Sequence, residues 1–154
     1  KKGNLKGYNS DVVGFQKSIE PLLQSHHTKA LILGTGGASK AISYVFKELG
    51  ITYCKVSRNP KKKKEISYSD ITKELLSEYT IIVNSSPVGT FPNIDQKPRI
   101  PYQYLTDKHL LYDLIYNPNE TAFLSEAKKK GAQIKNGFEM LQLQAEESWR
   151  IWNK

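Results

Sequence analysis

The chain has 154 residues, 38% of them hydrophobic, which is one domain's worth of sequence with enough apolar side chain to build a core without covalent staples. A single cysteine, Cys54, excludes an intrachain disulfide and any multi-cysteine metal site, and points to a reducing compartment. The formal net charge of +8 asks for an anionic partner, and the lack of an apolar leader or a bilayer-length apolar run makes the cytoplasm the expected location, with no membrane partner.

Residues 1–8, KKGNLKGY, are polar and glycine-bearing and read as a linker or chain end, which leaves one domain over 9–154. In NSDVVGFQKSIEPLL, Asn9 or Ser10 suits a helix cap and Asp11 the positive first turn. Val12, Phe15, Ile19, Leu22 and Leu23 then recur at helical spacing, against which Gly14 and Pro21 count. KALILGTGG reads as a buried strand, ASKAISYVFKELG as an amphipathic helix closed by Gly50, and ITYCKVS as a second strand. The lysine run 61–64 follows, then a short strand EISYS, a helix DITKELLSEY and a strand TIIVNSS ending at Pro87. Beyond a proline-rich loop come a strand HLLYDLIYN, a helix ETAFLSEAKKKGA, a brief AQIKN and a last helix from Phe138 to Trp152. Strands alternating with helices predict a three-layer α/β fold, Rossmann-like and doubly wound, with a mostly parallel sheet of six strands.

Gly34, Gly36 and Gly37 stand where a strand hands over to a helix, the context in which glycines cradle a dinucleotide. The first permits a tight turn, the second lets backbone approach a pyrophosphate, and the helix start at Ala38 offers unpaired N–H groups to the anion. The third position of that fingerprint is Ser39 here. An NAD enzyme places Asp or Glu at the end of the second strand to hold the ribose hydroxyls. This chain has Ser57, Arg58 and Asn59 there, with Lys62 just beyond and no carboxylate among them to repel a phosphate. Arg58 can stack on adenine and pair with a 2′-phosphate, so NADP is the expected cofactor. Lys63 and Lys64 read as solvated. Asn84, Ser85, Ser86, Pro87 and Val88 lie after the fourth strand, at the carboxyl edge where such folds bind ligands, and suit backbone contacts to a cofactor.

Six blocks, GYNSDVVGF, LILGTGGASKA, SRN, NSSPVGTFPN, YDLIYNP and NGFEMLQLQAEESWRIW, together resemble the C-terminal part of shikimate dehydrogenases, in order and spacing across nearly the whole chain. The resemblance implies NADP-dependent, reversible reduction of 3-dehydroshikimate to shikimate, in aromatic amino-acid biosynthesis. It implies that Asp11 is the catalytic aspartate on a hinge helix, with Ser10 where the family has threonine, and that Asn9, Tyr116 and Gln144 face the substrate. It further implies that the backbone of Gly137 lies by the nicotinamide. The family's catalytic lysine and the hydroxyl residues that hold the substrate carboxylate belong to an N-terminal substrate domain, so this chain is expected to be the cofactor-binding part and inactive alone. The connection between ITYCKVS and EISYS is shorter than the family's, which usually carries a helix there, so either a short third strand or a differently shaped 2′-phosphate loop is expected.

Read without the resemblance, Asp11 is a first-turn helix residue, Tyr116 a strand-end aromatic, Gly137 a helix-start turn and Asp113 a hydrogen-bonded structural carboxylate. His26, His27 and His109 have no partners at ligand spacing, which predicts surface residues and no metal. Cys54 reads as a small buried hydrophobe, and Trp149 and Trp152 as packing residues whose exposure outside a larger enzyme favours self-association as a homodimer. A quinate/shikimate dehydrogenase using NAD(P) is the nearest alternative. A basic nucleic-acid-binding module is a more distant one, since its basic residues are scattered and no nucleic-acid motif occurs.

Overall fold

A computed structural model describes residues 2–153, with side chains described from Asn9 onward. The chain begins with α1 (Lys2–Ile19), runs through a 3-10 turn at Glu20–Leu22 into β1 (Lys29–Leu33), and continues with α2 (Gly37–Glu48) and β2 (Thr52–Val56). There follow β3 (Glu65–Ile66), α3 (Lys73–Glu78), β4 (Ile81–Asn84), β5 (Leu110–Asp113), α4 (Ala122–Lys129), β6 (Gln133–Lys135) and α5 (Phe138–Trp152). The six strands form one sheet in the order β3-β2-β1-β4-β5-β6, parallel at every pairing.

Alternation along the strands divides the core into two layers, because successive side chains leave opposite faces of a pleated sheet. Leu31, Leu33, Val56, Ile82 and Leu111 meet Leu76 of α3 and Phe123, Leu124 and Ala127 of α4 on one face. Ala30, Ile32, Ile81, Val83, Leu110 and Tyr112 meet Phe15 and Ile19 of α1, Ile42, Val45 and Phe46 of α2, and Met140 of α5 on the other. Each fully buried side chain of this size contributes about 1.5–3 kcal/mol. Phe15 sits at the centre of the second layer, edge-on to Phe46 at 5.6 Å and to Tyr112 at 5.0 Å.

Two local expectations change. Asn9, Ser10 and Asp11 lie inside α1 rather than at its start, so none of them caps it. Glycine at positions 3 and 7 keeps its N–H and only weakens a helix, by about 1 kcal/mol each, which does not stop it. His27 and His109 are buried, not surface residues. His27 Nδ1 accepts the Gln24 N–H at 2.9 Å while Nε2 donates to the Lys108 carbonyl at 3.1 Å. His109 Nδ1 accepts the Thr106 N–H at 3.0 Å, and Nε2 donates to the Leu76 carbonyl at 2.8 Å. Both rings thus satisfy turn backbone below the amino ends of the strands. Trp149 and Trp152 are 69% and 78% exposed, because only Met140 of α5 reaches the core.

The connection 57–64 between β2 and β3 contains no helix, and β3 is the short strand anticipated. Among the described residues no helix is long and apolar enough to cross a membrane, and no cluster of His, Cys, Asp or Glu is placed to hold a metal.

Candidate cofactor and substrate site

The strand order reverses between β1 and β4, and the crevice at the carboxyl ends of these two strands is where ligands bind in open parallel sheets. Gly34 leaves β1 at φ +109°, a left-handed conformation that disfavours any side chain, and its N–H donates to the Val56 carbonyl at 2.9 Å. A Cβ at Gly34 would stand 2.9 Å from Ser85 Oγ, which itself donates to the Leu33 carbonyl at 2.7 Å. The loops after β1 and β4 are therefore bound to each other. Gly36 and Gly37 differ in kind: a Cβ at either would meet nothing within 4 Å. Their space is open for a ligand to approach backbone closely, which fits a pyrophosphate at the start of α2. Ser39, buried, turns its hydroxyl back onto the Gly36 carbonyl at 2.7 Å and braces the turn.

After β4 the side chain of Asn84 is wholly engaged. Its amide nitrogen donates to the Asp113 carboxylate at 3.2 Å and to the Val88 carbonyl at 3.3 Å, and its oxygen accepts from the Ser86 N–H and hydroxyl. Asn84 thus folds the loop through Ser85, Ser86, Pro87 and Val88 and offers no side-chain atom to a ligand. Asp113 is buried and accepts from Asn84, from the Ile115 N–H at 3.1 Å and from Thr121 Oγ1 at 2.7 Å, with burial raising its pKa to about 6 against the pull of those donors. It is the structural carboxylate read from the sequence.

At the end of β2, Ser57 Oγ accepts the Asn59 N–H at 3.0 Å, and Arg58 and Asn59 are exposed. Lys62 is exposed on the same loop, whereas Lys64 lies over the Tyr53 ring at 4.8 Å. One carboxylate binds back onto this loop from the start of β3: Glu65 accepts the Lys61 N–H at 2.9 Å and the Lys62 N–H at 3.4 Å.

A depression of about 240 Å³ opens beside the glycine turn, lined by Asp11, Ala38, Leu114, Tyr116, Gly137, Met140, Leu141 and Gln144. It brings together five residues singled out from the sequence, from α1, the start of α2, the segment after β5 and the start of α5. Asn9 is exposed and does not line it, and Gln142, two residues from Gln144, faces solvent. The antiparallel crossing of α1 and α5 builds one wall. Ser10 meets Ser148 at 3.0 Å, Gln144 donates to the Asp11 carboxylate, and Gly14 lets the Met140 carbonyl approach so closely that a Cβ would stand 2.8 Å away. Half-burial raises the Asp11 pKa from its ordinary value, and the Gln144 hydrogen bond opposes that rise. Gly137 closes the floor: a Cβ there would stand 1.9 Å from the Leu114 carbonyl oxygen. Leu114, Met140 and Leu141 were not singled out, although the apolar spacing of GFEMLQLQ marks two of them as a helix face.

No family model matches the chain. Among curated proteins it is 37% identical over 170 residues to the NADP(+) shikimate dehydrogenase of Methanococcus vannielii, covering 97% of this chain and 59% of that protein. To the enzyme of the same name from Caldicellulosiruptor bescii it is 40% identical over 164 residues, covering 97% of this chain and 57% of that one. The structure of shikimate dehydrogenase 1 from Peptoclostridium difficile superposes with a TM-score of 0.80 at 34% identity, over 94% of this chain and 54% of that chain. The chain therefore spans somewhat more than half the length of the relatives it matches.

Proposed function

We infer that this chain, homologous to NADP(+) shikimate dehydrogenases over 97% of its own length, is the cofactor-binding part of an enzyme that transfers hydride between NADPH and 3-dehydroshikimate. The observation that carries this reading is the shared depression. Ala38, at the helix start that suits a pyrophosphate, lines it together with Asp11 and Gln144, side chains suited to a hydroxylated substrate.

When bound, NADPH supplies the hydride that reduces the substrate ketone. The protein's own part is binding, orientation and proton handling. Gly34 shapes the turn, and Gly36 and Gly37 leave the space through which α2 presents its N–H groups to the pyrophosphate. Arg58, Asn59 and Lys62 carry the preference for a 2′-phosphate, Arg58 by its planar fork and Lys62 as a point charge. On the substrate side Gln144 fixes the Asp11 carboxylate by hydrogen bond. A carboxyl group with a raised pKa is suited to hold a proton at the substrate hydroxyl oxygen while hydride moves at the adjoining carbon. Tyr116, 44% exposed and edge-on to Phe138 at 6.5 Å, supplies an aromatic wall, and Gly137, packed directly on the Leu114 backbone, closes the floor with main chain.

Calorimetric titration with NADPH and NADH at one fixed ionic strength tests the cofactor reading. The unsubstituted chain is expected to bind NADPH more tightly, and Arg58→Ala to weaken NADPH by about 1.5–3 kcal/mol, the worth of a charge-assisted pair, while leaving NADH nearly unchanged. Equal losses for both nucleotides would remove Arg58 as the discriminating residue.

A further inference from the structure

The loop 57–64 carries Arg58 and Lys62 yet has no helix to hold its shape. Its ends are fixed by the sheet, the Lys55 N–H donating to the Lys64 carbonyl at 2.9 Å and the Ser57 N–H to the Ile66 carbonyl at 2.8 Å. Between those ends Lys61 to Lys64 place four ammonium groups in succession, a pattern that repels itself and favours an extended chain. Glu65 opposes this. Its Oε1 gathers the Lys61 and Lys62 N–H groups, and its own N–H donates to the Lys62 carbonyl at 3.0 Å, so Lys62 is held from both sides of its backbone. Glu65 is also the one acidic residue in the stretch 57–65. The backbone donors, first that of Lys61, and the charges of Lys62 and Lys55 keep its carboxyl below the ordinary range, so it is ionised at neutral pH.

A carboxylate beside a phosphate site weakens it if it faces the phosphate. Glu65 instead commits an oxygen to backbone on the loop itself, and the Lys62 ammonium remains exposed. We propose that Glu65 is a positioning residue for recognition of the 2′-phosphate: it sets Lys62 and the adjoining backbone in the shape that receives a phosphate monoester, without touching the phosphate. The proposal rests on the cofactor reading above. It adds that preference for the phosphorylated nucleotide depends on an acidic residue, through preorganisation of a basic loop.

Two substitutions separate positioning from simple charge. Glu65→Gln removes the negative charge but keeps an oxygen that can accept the same N–H groups, whereas Glu65→Ala removes both. If Glu65 acted only by repelling the phosphate, both variants would bind NADPH more tightly. Positioning predicts that Glu65→Ala weakens NADPH about tenfold with NADH held within about twofold, and that Glu65→Gln stays within about threefold of the unsubstituted protein. Titration of all three proteins with both nucleotides reads this directly, and thermal unfolding of each shows whether the fold is intact. NADPH binding by Glu65→Ala that is unchanged or tighter overturns the proposal, as does loss of NADPH and NADH by the same factor. Unsubstituted protein that binds neither nucleotide defeats the cofactor reading itself, and this inference with it, before any variant is compared.

Discussion

Asp113 shows what burial does to a charge that chemistry does not use. Its two oxygens take three donors, from Asn84, Ile115 and Thr121, and Thr121 Oγ1 also accepts the Leu124 N–H to cap α4. Asp113→Ala orphans those donors in a site with no access to water, so it is expected to cost about 3 kcal/mol, measured by urea unfolding. Residues of this type were partly legible from the sequence, since a carboxylate inside an apolar strand must be paired. That Asp11 lies beside Gln144 was suggested only by the resemblance: its neighbours pointed to a helix start, and a contact with a helix far along the chain leaves no local trace. Glu65 carries no such signal, since a carboxylate following a lysine run reads as one more surface charge. Its contact with the loop arises from the chain folding back on itself within four residues.

At the scale of elements, period and punctuation were sufficient for nearly all of the fold. The alternation of apolar runs and amphipathic segments marked each of the six strands, and the last helix was bounded at Phe138 and Trp152 as found. The start of α1 was misplaced, and Gly14 was counted against it, since glycine in isolation lowers helix propensity. In the structure Gly14 is where the backbone of α1 packs against the Met140 carbonyl of α5 with no room for a side chain. Gly14→Leu forces the two helices apart at that point. It is expected to destabilise the protein by about 2–3 kcal/mol and to separate Gln144 from Asp11. Thermal unfolding reads the first effect. The second is seen as a fall of the Asp11 carboxyl toward its ordinary pKa, followed by NMR titration, because parting the helices returns water to a half-buried group.

For the molecule as a whole, the sheet keeps its two ends chemically apart, with buried histidines beneath the amino ends of the strands and the ligand depression at the carboxyl ends. Burial first, and neighbouring histidines second, hold His27 and His109 below the ordinary value of about 6.5. The unfolded chain then binds more protons than the native one, so the stability they contribute is complete above about pH 6.5 and is lost as pH falls toward their lowered pKa values. Asp113 acts in the other sense: its folded pKa near 6 lies above its unfolded value, so its burial becomes less costly as pH falls below 6. As pH falls through about 6.5 the two histidines therefore withdraw stability while Asp113, titrating in the same region, returns part of it, so a net decline smaller than the histidines alone would give is expected between pH 7 and 6. Urea unfolding at half-unit pH steps checks this, and a flat profile between pH 7 and 6 would contradict it. The crossing of α1 and α5 also bears on how the molecule is made. Asp11 and Gln144 are 133 positions apart, so their meeting closes one of the longest loops available to the chain and contributes heavily to its contact order. The depression therefore depends on contacts between the two ends of the chain, with all six strands lying between them in sequence. A chain arrested short of α5 would hold the glycine turn facing a wall that has not been built.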